Sequence, residues 1–348
     1  MIIKFIPSCV LGFLLLILPL TAGSALAQTK LRFGTVFSPT TSTYLLLVDA
    51  CRKVEQETAG AVAIDIQPAG GFGKPTELLP KVDKGELEIA YTVQGYTPDR
   101  FAASSVMELP LIRKTATGGT SALWELYEKG LLARDYQGLK ILGLWTLPPY
   151  GIFTNDRKVT TIRDLRGLRI RAPGITVARA LNKMGVVPVN LPLNKMGTGL
   201  KDDLIDGISY GWYSTTTTAG AEKGQTLMDQ VNYLVDINFT GPVVMVAMQQ
   251  TVFDALPEAI RTALDRHMGR ALSLAIAEER DQAEDNTRKK IAAGGRHTLV
   301  RFTAAETDAL LNDLSEVFDE WVVGLKAKGI DGAALLTAAR RAVAAHEK

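Results

Sequence analysis

The sequence predicts an α/β protein built as two lobes. Strand and helix patterns alternate along most of the chain, which is typical of mostly parallel sheets covered by helices on both faces. Removing a predicted leader from the 348 residues leaves about 320, more than one hydrophobic core usually organises. A helical pattern over residues 257–295 is too long for one small lobe, so we expect this helix to span both.

The first 27 residues have the pattern of a cleavable secretory signal. Lys4 precedes an apolar run from Cys9 to Leu20, and small residues ending at Ala27 supply a cleavage site. An uncleaved membrane anchor is the alternative, but the run is short for a bilayer span. We therefore expect export to the periplasm, with cleavage after Ala27.

Charge and cysteine content indicate which partners the protein can bind and whether disulfides can stabilise it. Without Lys4 the chain carries 38 basic and 37 acidic residues, so its charge gives no support for nucleic-acid binding. Cys51 is the only cysteine outside the predicted leader, which leaves no intrachain disulfide. Cys51 lies in a helical pattern, and we expect it to be a small buried residue.

The first lobe is assigned to residues 28–150 together with about 241–256. Its predicted elements alternate between strands and helices: strand 31–37, helix 42–58, strand 61–67, helix 75–84, strand 86–91 and strand 139–145. The segment Leu147–Gly151 contains two prolines and interrupts the strand pattern, which suits a crossover between the lobes.

The second lobe is assigned to residues 151–240 and repeats the same rhythm. Its predicted elements are strand 152–155, strand 168–171, helix 176–185, strand 186–191, helix 194–205 and strand 206–210. The polar run Thr215–Thr218 is predicted to be a loop.

Helical patterns dominate the C-terminal third. After Pro257, the only glycine or proline up to Ala293 is Gly269. One helix of about 55 Å is therefore predicted for this segment. Thr303 and Glu306 fit a capping box that begins an amphipathic helix, and a last helix is predicted over residues 333–345. Residues 296–348 are thus expected to be helices that pack on the lobes.

No pattern of catalytic or metal-binding residues stands out. The chain lacks a Gly-x-Ser-x-Gly elbow, a His-Glu-x-x-His pair and a Cys-x-x-Cys pair, and His267, His297 and His346 are far apart in sequence. The loop Gly70–Thr76 misses the spacing of a phosphate-binding loop. We expect no catalytic residues, no cofactor and no metal.

One strand end carries the most informative pattern. Arg169 and Arg171 alternate with Leu168 and Ile170, and Ala172-Pro173-Gly174 ends the strand directly after Arg171. Open α/β sheets bind ligands in the crevice at the carboxyl ends of their strands, and a guanidinium there grips a carboxylate through two parallel hydrogen bonds. From spacing alone, a solvated basic strand end is the favoured interpretation.

Several motifs change that interpretation, because they follow one another in the same order as in the sequences of a known family. The motifs are Asp164–Pro173, Leu181–Pro192, Asp206-Gly207, Glu57–Gly60, Pro68–Gly73, Lys84–Glu88, Leu109-Pro110 and Phe253–Pro257. Together they resemble the solute receptors of tripartite ATP-independent periplasmic (TRAP) transporters, the DctP-like family. The resemblance implies a two-lobed periplasmic binding protein with hinge strands, a long helix behind both lobes, and an organic acid held by an arginine at the position of Arg171.

The chain departs from the family pattern where the ligand is expected. Ile208-Ser209-Tyr210 replaces a Gln-Glu-Asn-like tripeptide, and a second basic residue found in some members is absent near Tyr150. Polar contacts are thus lost and aromatic ones gained, which suits an apolar or ring-bearing acid. The predicted ligand contacts besides Arg171 are Gln94, Tyr96, Trp145, Tyr150, Tyr210, Trp212, Tyr213 and Phe239.

The functional hypothesis is a periplasmic receptor that binds a small carboxylate, aromatic or otherwise apolar, and delivers it to TRAP membrane subunits. It is not expected to be an enzyme. Three alternatives stay open: a C4-dicarboxylate or sugar-acid receptor of the same family, a periplasmic enzyme built on a binding-protein fold, and a receptor that signals through a sensor partner.

Overall fold

The computed structural model describes residues 1–2, 28–97 and 99–347, apart from the side chain of Leu311. Residues 3–27 of the predicted signal segment, including the cleavage site after Ala27, lie outside the described residues. Within these ranges, none of the helices combines the length and the apolar character that a membrane span requires.

Strands and helices alternate through most of the described chain. The strands are β1 (Thr29–Gly34), β2 (Val62–Gln67), β3 (Ile89–Val93), β4 (Leu139–Thr146), β5 (Gly151–Thr154), β6 (Arg169–Ala172), β7 (Val187–Asn190), β8 (Gly207–Tyr210), β9 (Tyr233–Val235), β10 (Val243–Gln249) and β11 (Thr298–Val300). The helices are α1 (Ser42–Glu57), α2 (Leu78–Asp83), α3 (Ala116–Glu128), α4 (Ile175–Lys183), α5 (Met196–Lys201), α6 (Trp212–Thr217), α7 (Gln250–Asp254), α8 (Glu258–His267), α9 (Gly269–Gly294), α10 (Ala304–Ala327) and α11 (Gly332–His346).

Each lobe is organised around one sheet, as predicted. The sheet of the first lobe has the order β2-β1-β3-β10-β4, and the sheet of the second has the order β11-β9-β5-β8-β6-β7. In the first sheet β10 runs antiparallel to both neighbours, and in the second β5 does so, while the other described pairings are parallel. The prediction of two helix-covered α/β sheets is confirmed, but both sheets are mixed rather than mostly parallel, because β10 and β5 each run antiparallel to two neighbours.

Strand β10 illustrates why the central strands have continuous apolar sequences. Val243, Met245 and Ala247 pack in one hydrophobic cluster, while Val244 and Val246 pack in the cluster on the opposite face. Both faces of the sheet are therefore covered, and alternate side chains are buried on each side.

Two chain segments cross between the lobes side by side. One joins β4 to β5 and the other joins β9 to β10, and they are hydrogen-bonded to each other. The Leu147 N–H donates to Pro242 O at 3.0 Å, and the Tyr150 N–H donates to Thr240 O at 2.8 Å. These paired segments form the hinge that the interruption at Leu147–Gly151 predicted.

The single helix predicted from Pro257 to Ala293 is two helices. Gly269 has a φ of +73°, and the chain turns there between α8 and α9. Helix α9 alone has 26 residues, about 39 Å at 1.5 Å per residue. It contacts both lobes: Ser273 Oγ accepts from the Leu144 N–H in the first at 2.9 Å, and Glu284 Oε2 accepts from the Trp212 N–H in the second at 2.7 Å.

Two further predictions are wrong in detail. Thr215 to Thr217 belong to helix α6 rather than to a loop, because Glu284 accepts a hydrogen bond at the first turn of that helix. Residues 296–348 also include a strand, since β11 pairs in parallel with β9 at the edge of the second sheet. The capping box of Thr303 and Glu306 at the start of α10 is confirmed.

Candidate functional site

Arg171 lies on β6, between β7 and β8 in the second sheet. Strand β6 ends at Ala172, and Pro173 and Gly174 lead directly into α4. The guanidinium is therefore at the carboxyl end of a parallel strand, where the alternation of Arg169 and Arg171 predicted it. Its Nε donates to Leu191 O at 3.2 Å, which anchors one edge of the group.

The Nη1 atom of this guanidinium has no partner in the part of the chain that the structure describes. Arg171 is only 2% exposed, and its buried Nη1 has no hydrogen bond within the described chain. A buried donor without a partner costs about 1–3 kcal/mol. A carboxylate in the site would remove that cost and would add charge-assisted hydrogen bonds.

Aromatic side chains surround this cation. The Arg171 Cζ lies 6.0 Å from the ring centroid of Tyr210, and Tyr150 meets Tyr210 edge-on with centroids 5.5 Å apart. Burial raises the pKa of Tyr96, and the nearby charge of Arg171 opposes that increase. Burial and Tyr210 raise the pKa of Tyr150, again against the charge of Arg171. The structure thus brings Arg171, Tyr96, Tyr150 and Tyr210 into one group.

The two lobes touch beside this group. An ideal Cβ built on Gly95 of the first lobe would lie 3.4 Å from the Gly174 Cα of the second. Tyr96 follows Gly95 in a short 3₁₀ turn, so the first lobe delivers an aromatic side chain where the backbones meet. The arrangement is closed around Arg171.

Three of the predicted contacts lie in cores or at the hinge. Trp145 is fully buried in the first lobe, with its ring 5.8 Å from that of Tyr91. Trp212 is fully buried in the second lobe, 4.9 Å from Phe153. Phe239 lies in a crossing segment, where its N–H donates to Tyr150 O. None of the three has a described contact with the Arg171 guanidinium.

Gln94 and Tyr213 are also engaged elsewhere. The Gln94 amide donates to the Tyr136 hydroxyl at 2.8 Å and accepts from Ser104 Oγ at 2.7 Å, so both ends of its amide have protein partners. The ring of Tyr213 lies 4.6 Å from the Arg280 Cζ. Both residues therefore flank the group rather than join it.

Sequence reasoning missed Tyr91, which the structure places beside the group. Burial, followed by the neighbouring hydroxyls of Tyr96, Tyr150 and Tyr210, raises the pKa of Tyr91. Its ring also packs against Phe37 at 4.6 Å. The available signal was a tyrosine in the middle of the apolar strand β3.

Helix α9 supplies a second missed feature, a buried charged pair next to Tyr150. Arg280 Nη2 donates to Ser214 Oγ at 2.7 Å, and Glu284 Oε2 accepts from the Trp212 N–H at 2.7 Å. Burial raises the pKa of Glu284 to about 7. The two residues hold the turn after β8, the strand that carries Tyr210.

The three histidines and the one described cysteine all lie outside this site. His267 pairs with Glu57, His346 pairs with Glu125, and His297 meets the Met228 carbonyl oxygen. Cys51 is buried, and burial raises the pKa of its thiol. No cluster of three metal-ligating side chains occurs in residues 28–97 and 99–347. The site as built is a cation with aromatic surroundings, suited to binding a small organic anion.

Comparison with known proteins also indicates a solute-binding protein. The family model described as bacterial extracellular solute-binding protein, family 7 (DctP), matches residues 33–323. The curated outer membrane transporter protein TsaT of Comamonas testosteroni is 25% identical over 344 residues, which cover 95% of this chain and 96% of that protein.

Solved structures share the fold over nearly the whole chain. A TRAP solute-binding protein from Rhodoferax ferrireducens, in complex with copurified benzoate, is 25% identical with a TM-score of 0.83, covering 92% of this chain and 98% of that one. A TRAP solute-binding protein from a marine metagenome, described as specific for aromatic acid ligands, is 23% identical with a TM-score of 0.84, covering 92% and 100%. The chain belongs to family 7 of the bacterial extracellular solute-binding proteins, the DctP-like solute receptors of TRAP transporters.

Proposed function

We propose that this receptor binds an aromatic or otherwise apolar monocarboxylate between its lobes. Arg171 holds the carboxylate, and Tyr96, Tyr150 and Tyr210 pack against the body of the ligand. The observation that carries the proposal is the buried Nη1 of Arg171, which has no hydrogen bond within the described chain and lies in an aromatic group. Lobe closure excludes water and so strengthens the ion pair.

The remaining predicted contacts take a supporting role in this proposal. Trp145, Trp212 and Phe239 hold the walls and the hinge, and Gln94 and Tyr213 hold neighbouring turns. Support for an aromatic ligand comes from the benzoate bound by the Rhodoferax protein and from the aromatic-acid specificity stated for the metagenome protein.

We further propose that the chain is exported to the periplasm and transfers its ligand, chemically unchanged, to TRAP membrane subunits. The signal-like pattern of residues 1–27 supports export. The group around Arg171 contains one guanidinium and tyrosine hydroxyls, without a paired nucleophile and base among the described residues. This composition supports a binding role rather than catalysis.

Thermal unfolding with a panel of acids tests the proposal. A ligand that binds only the folded protein, present at 100 times its dissociation constant, adds about 2.7 kcal/mol of stability. We expect benzoate and related aryl acids to raise the melting temperature of the wild-type protein. Arg171→Met should abolish this increase, while Arg163→Met, an exposed arginine in the same segment, should retain it.

The panel also separates the alternatives. If succinate-like or sugar acids stabilise the protein and aryl acids do not, the receptor assignment stands but the aromatic ligand is wrong. If Arg171→Met responds to aryl acids as the wild type does, the role of Arg171 is wrong. Conversion of a stabilising acid to a product would favour an enzyme.

A further inference from the structure

A second cavity lies between the lobes, against helix α10. It has a volume of about 200 Å³ and is lined by the start of α4, by the end of α10 and by first-lobe residues that include Gln94, Phe101 and Glu108. We propose that this cavity is a second binding site, for a small acid that has an apolar body and a hydroxyl or amine donor opposite its carboxylate. The site does not depend on Arg171.

The cavity is separate from the group around Arg171. Tyr210 and Leu191, which contact the Arg171 guanidinium, do not line it. Gly95, which meets Gly174 where the lobes touch, lines the cavity, whereas Arg171, Tyr96 and Tyr150 do not. A molecule in the cavity would touch both lobes and α10 at once.

Apolar side chains form the walls. Phe101 is 2% exposed and Trp321 is 6% exposed, whereas Ile175 is 48% exposed at the opening. The Trp321 indole is held in place because its Nε1–H donates to Ser105 Oγ at 2.8 Å. Cavities of about 150 Å³ with apolar walls hold a benzene ring, so this one has room for a single ring with small substituents.

Glu108 places a carboxyl group in the lining, where it joins the polar or charged side chains of Gln94, Asp99, Ser105, Thr176, Arg179 and Lys328. It is 4% exposed, and its Oε1 accepts from the Val243 N–H at 2.8 Å. Its Oε2 has no hydrogen bond among the described residues, and burial raises the pKa of this carboxyl to about 7. A ligand hydroxyl or amine in the cavity could donate a hydrogen bond to this oxygen.

Arg179 supplies the opposite charge. It lines the cavity from an exposed position on α4 and makes no ion pair or side-chain hydrogen bond within residues 28–97 and 99–347. The other cation of the lining, Lys328, is paired with Asp99 at 3.1 Å. Arg179 is thus the cation that can bind the ligand's carboxylate. The ligand's hydroxyl or amine would then lie next to Glu108.

Calorimetric titration of the Arg171→Met protein isolates the cavity. 4-Hydroxyphenylacetate should bind it with one site per chain, and phenylacetate, which lacks the donor, should bind about tenfold more weakly. Ala102→Phe, which fills the cavity, and Ile175→Glu, which places a negative charge at its opening, should abolish this binding. Arg179→Gln should weaken it about tenfold, and Arg163→Gln should leave it unchanged.

The outcomes separate this proposal from the main binding function. Absence of binding to the Arg171→Met protein overturns the cavity site and leaves the Arg171 site intact. Binding that persists unchanged in folded Ala102→Phe and Ile175→Glu proteins also overturns it, with thermal unfolding showing that the variants fold. Ile175 is exposed, so its substitution tests the site even if Ala102→Phe does not fold. Failure of the Arg171 site would instead appear as wild-type affinity for benzoate in Arg171→Met.

Discussion

Asp206 fixes the strand that carries Arg171. Its side chain is 4% exposed and accepts from Arg169 three times: from the N–H at 2.8 Å, from Nε at 3.0 Å and from Nη2 at 2.7 Å. The Asp206 N–H in turn donates to Arg169 O at 2.7 Å. Arg169 lies two residues before Arg171 on β6, so this pairing holds β6 against the start of β8, the strand of Tyr210.

Replacing Asp206 by asparagine should lower both stability and affinity. We expect Asp206→Asn to reduce the free energy of unfolding at pH 7 by about 1–3 kcal/mol, because a fork-like ion pair and a buried acceptor are lost. Benzoate should also bind more weakly, since β6 is less well held. Urea unfolding and calorimetry measure the two effects, and Asp203→Asn, an exposed neighbour, is the matched control.

The same pair predicts a pH dependence with a definite sign. Hydrogen bonds from Arg169 lower the pKa of Asp206 to about 2 in the folded protein, below its usual value of 3.8. The ionised carboxylate therefore stabilises the fold above about pH 4, and this contribution disappears as the pH falls through about 2. The stability difference between wild type and Asp206→Asn should shrink over that interval. A difference that stays constant from pH 5 to pH 2 would contradict this assignment.

Among single residues, Arg171 was predictable and several neighbours were not. Arg171 lies one residue before the end of a parallel strand, and Pro173-Gly174 follows that strand, so both features are local in sequence. Tyr91 was missed because β3 is buried along its whole length, so its sequence does not show which side chain points to the cleft. The partners of Gln94 are Tyr136 and Ser104, and only the folded chain brings all three together.

At the scale of elements, Gly269 determines how the long C-terminal helices are arranged. Its φ of +73° lies in the left-handed region, which glycine adopts without strain. Helix α8 packs on the first lobe and ends there, and α9 then starts in a new direction along both lobes. Arg280 and Glu284 on α9 reach the turn next to Tyr210 as a result.

Substitution at this turn should cost stability through the backbone. Gly269→Ala should lower the free energy of unfolding by about 1–2 kcal/mol, because other residues are strained at positive φ. A steric clash is not the cause, since the nearest atom to a new Cβ is Trp124 Cη2 at 4.0 Å. Urea unfolding measures the loss. Gly294→Ala, at an open position in the last turn of α9, should show none, and equal losses in both variants would contradict the strain argument.

Two element predictions failed because tertiary contacts decide them. One glycine costs only about 1 kcal/mol inside a helix, so the apolar spacing from residue 257 to 293 does not reveal the break. Helix α6 contains three consecutive threonines, which are weak helix formers. It forms where Glu284, 72 residues further along the chain, accepts from its first N–H.

For the whole molecule, the arrangement of the lobes depends on how closely their backbones approach. The paired crossing segments and α9 join the lobes on one side. Gly95 and Gly174 meet across the cleft, and neither has a side chain to keep the lobes apart. Periodicity predicted the two sheets, but the closed placement depends on two glycines that are 79 residues apart in the sequence, and no sequence pattern pairs them.

A graded series at Gly95 tests whether this approach controls binding. An alanine Cβ would lie 3.4 Å from Gly174 Cα and 3.5 Å from Pro173 O, so Gly95→Ala requires only small shifts. Gly95→Val adds two methyl groups and should hold the lobes apart, leaving Arg171 in contact with water. Water weakens the ion pair with a carboxylate, so benzoate should bind about tenfold more weakly or worse in Gly95→Val and nearly normally in Gly95→Ala. One hydrophobic cluster contains buried residues of both lobes, including Phe101 and Val177, so Gly95→Val should also lower the free energy of unfolding without ligand. Calorimetry gives the affinities and small-angle scattering gives the compactness; wild-type affinity in a Gly95→Val protein of greater radius would show that binding does not require closure at this contact.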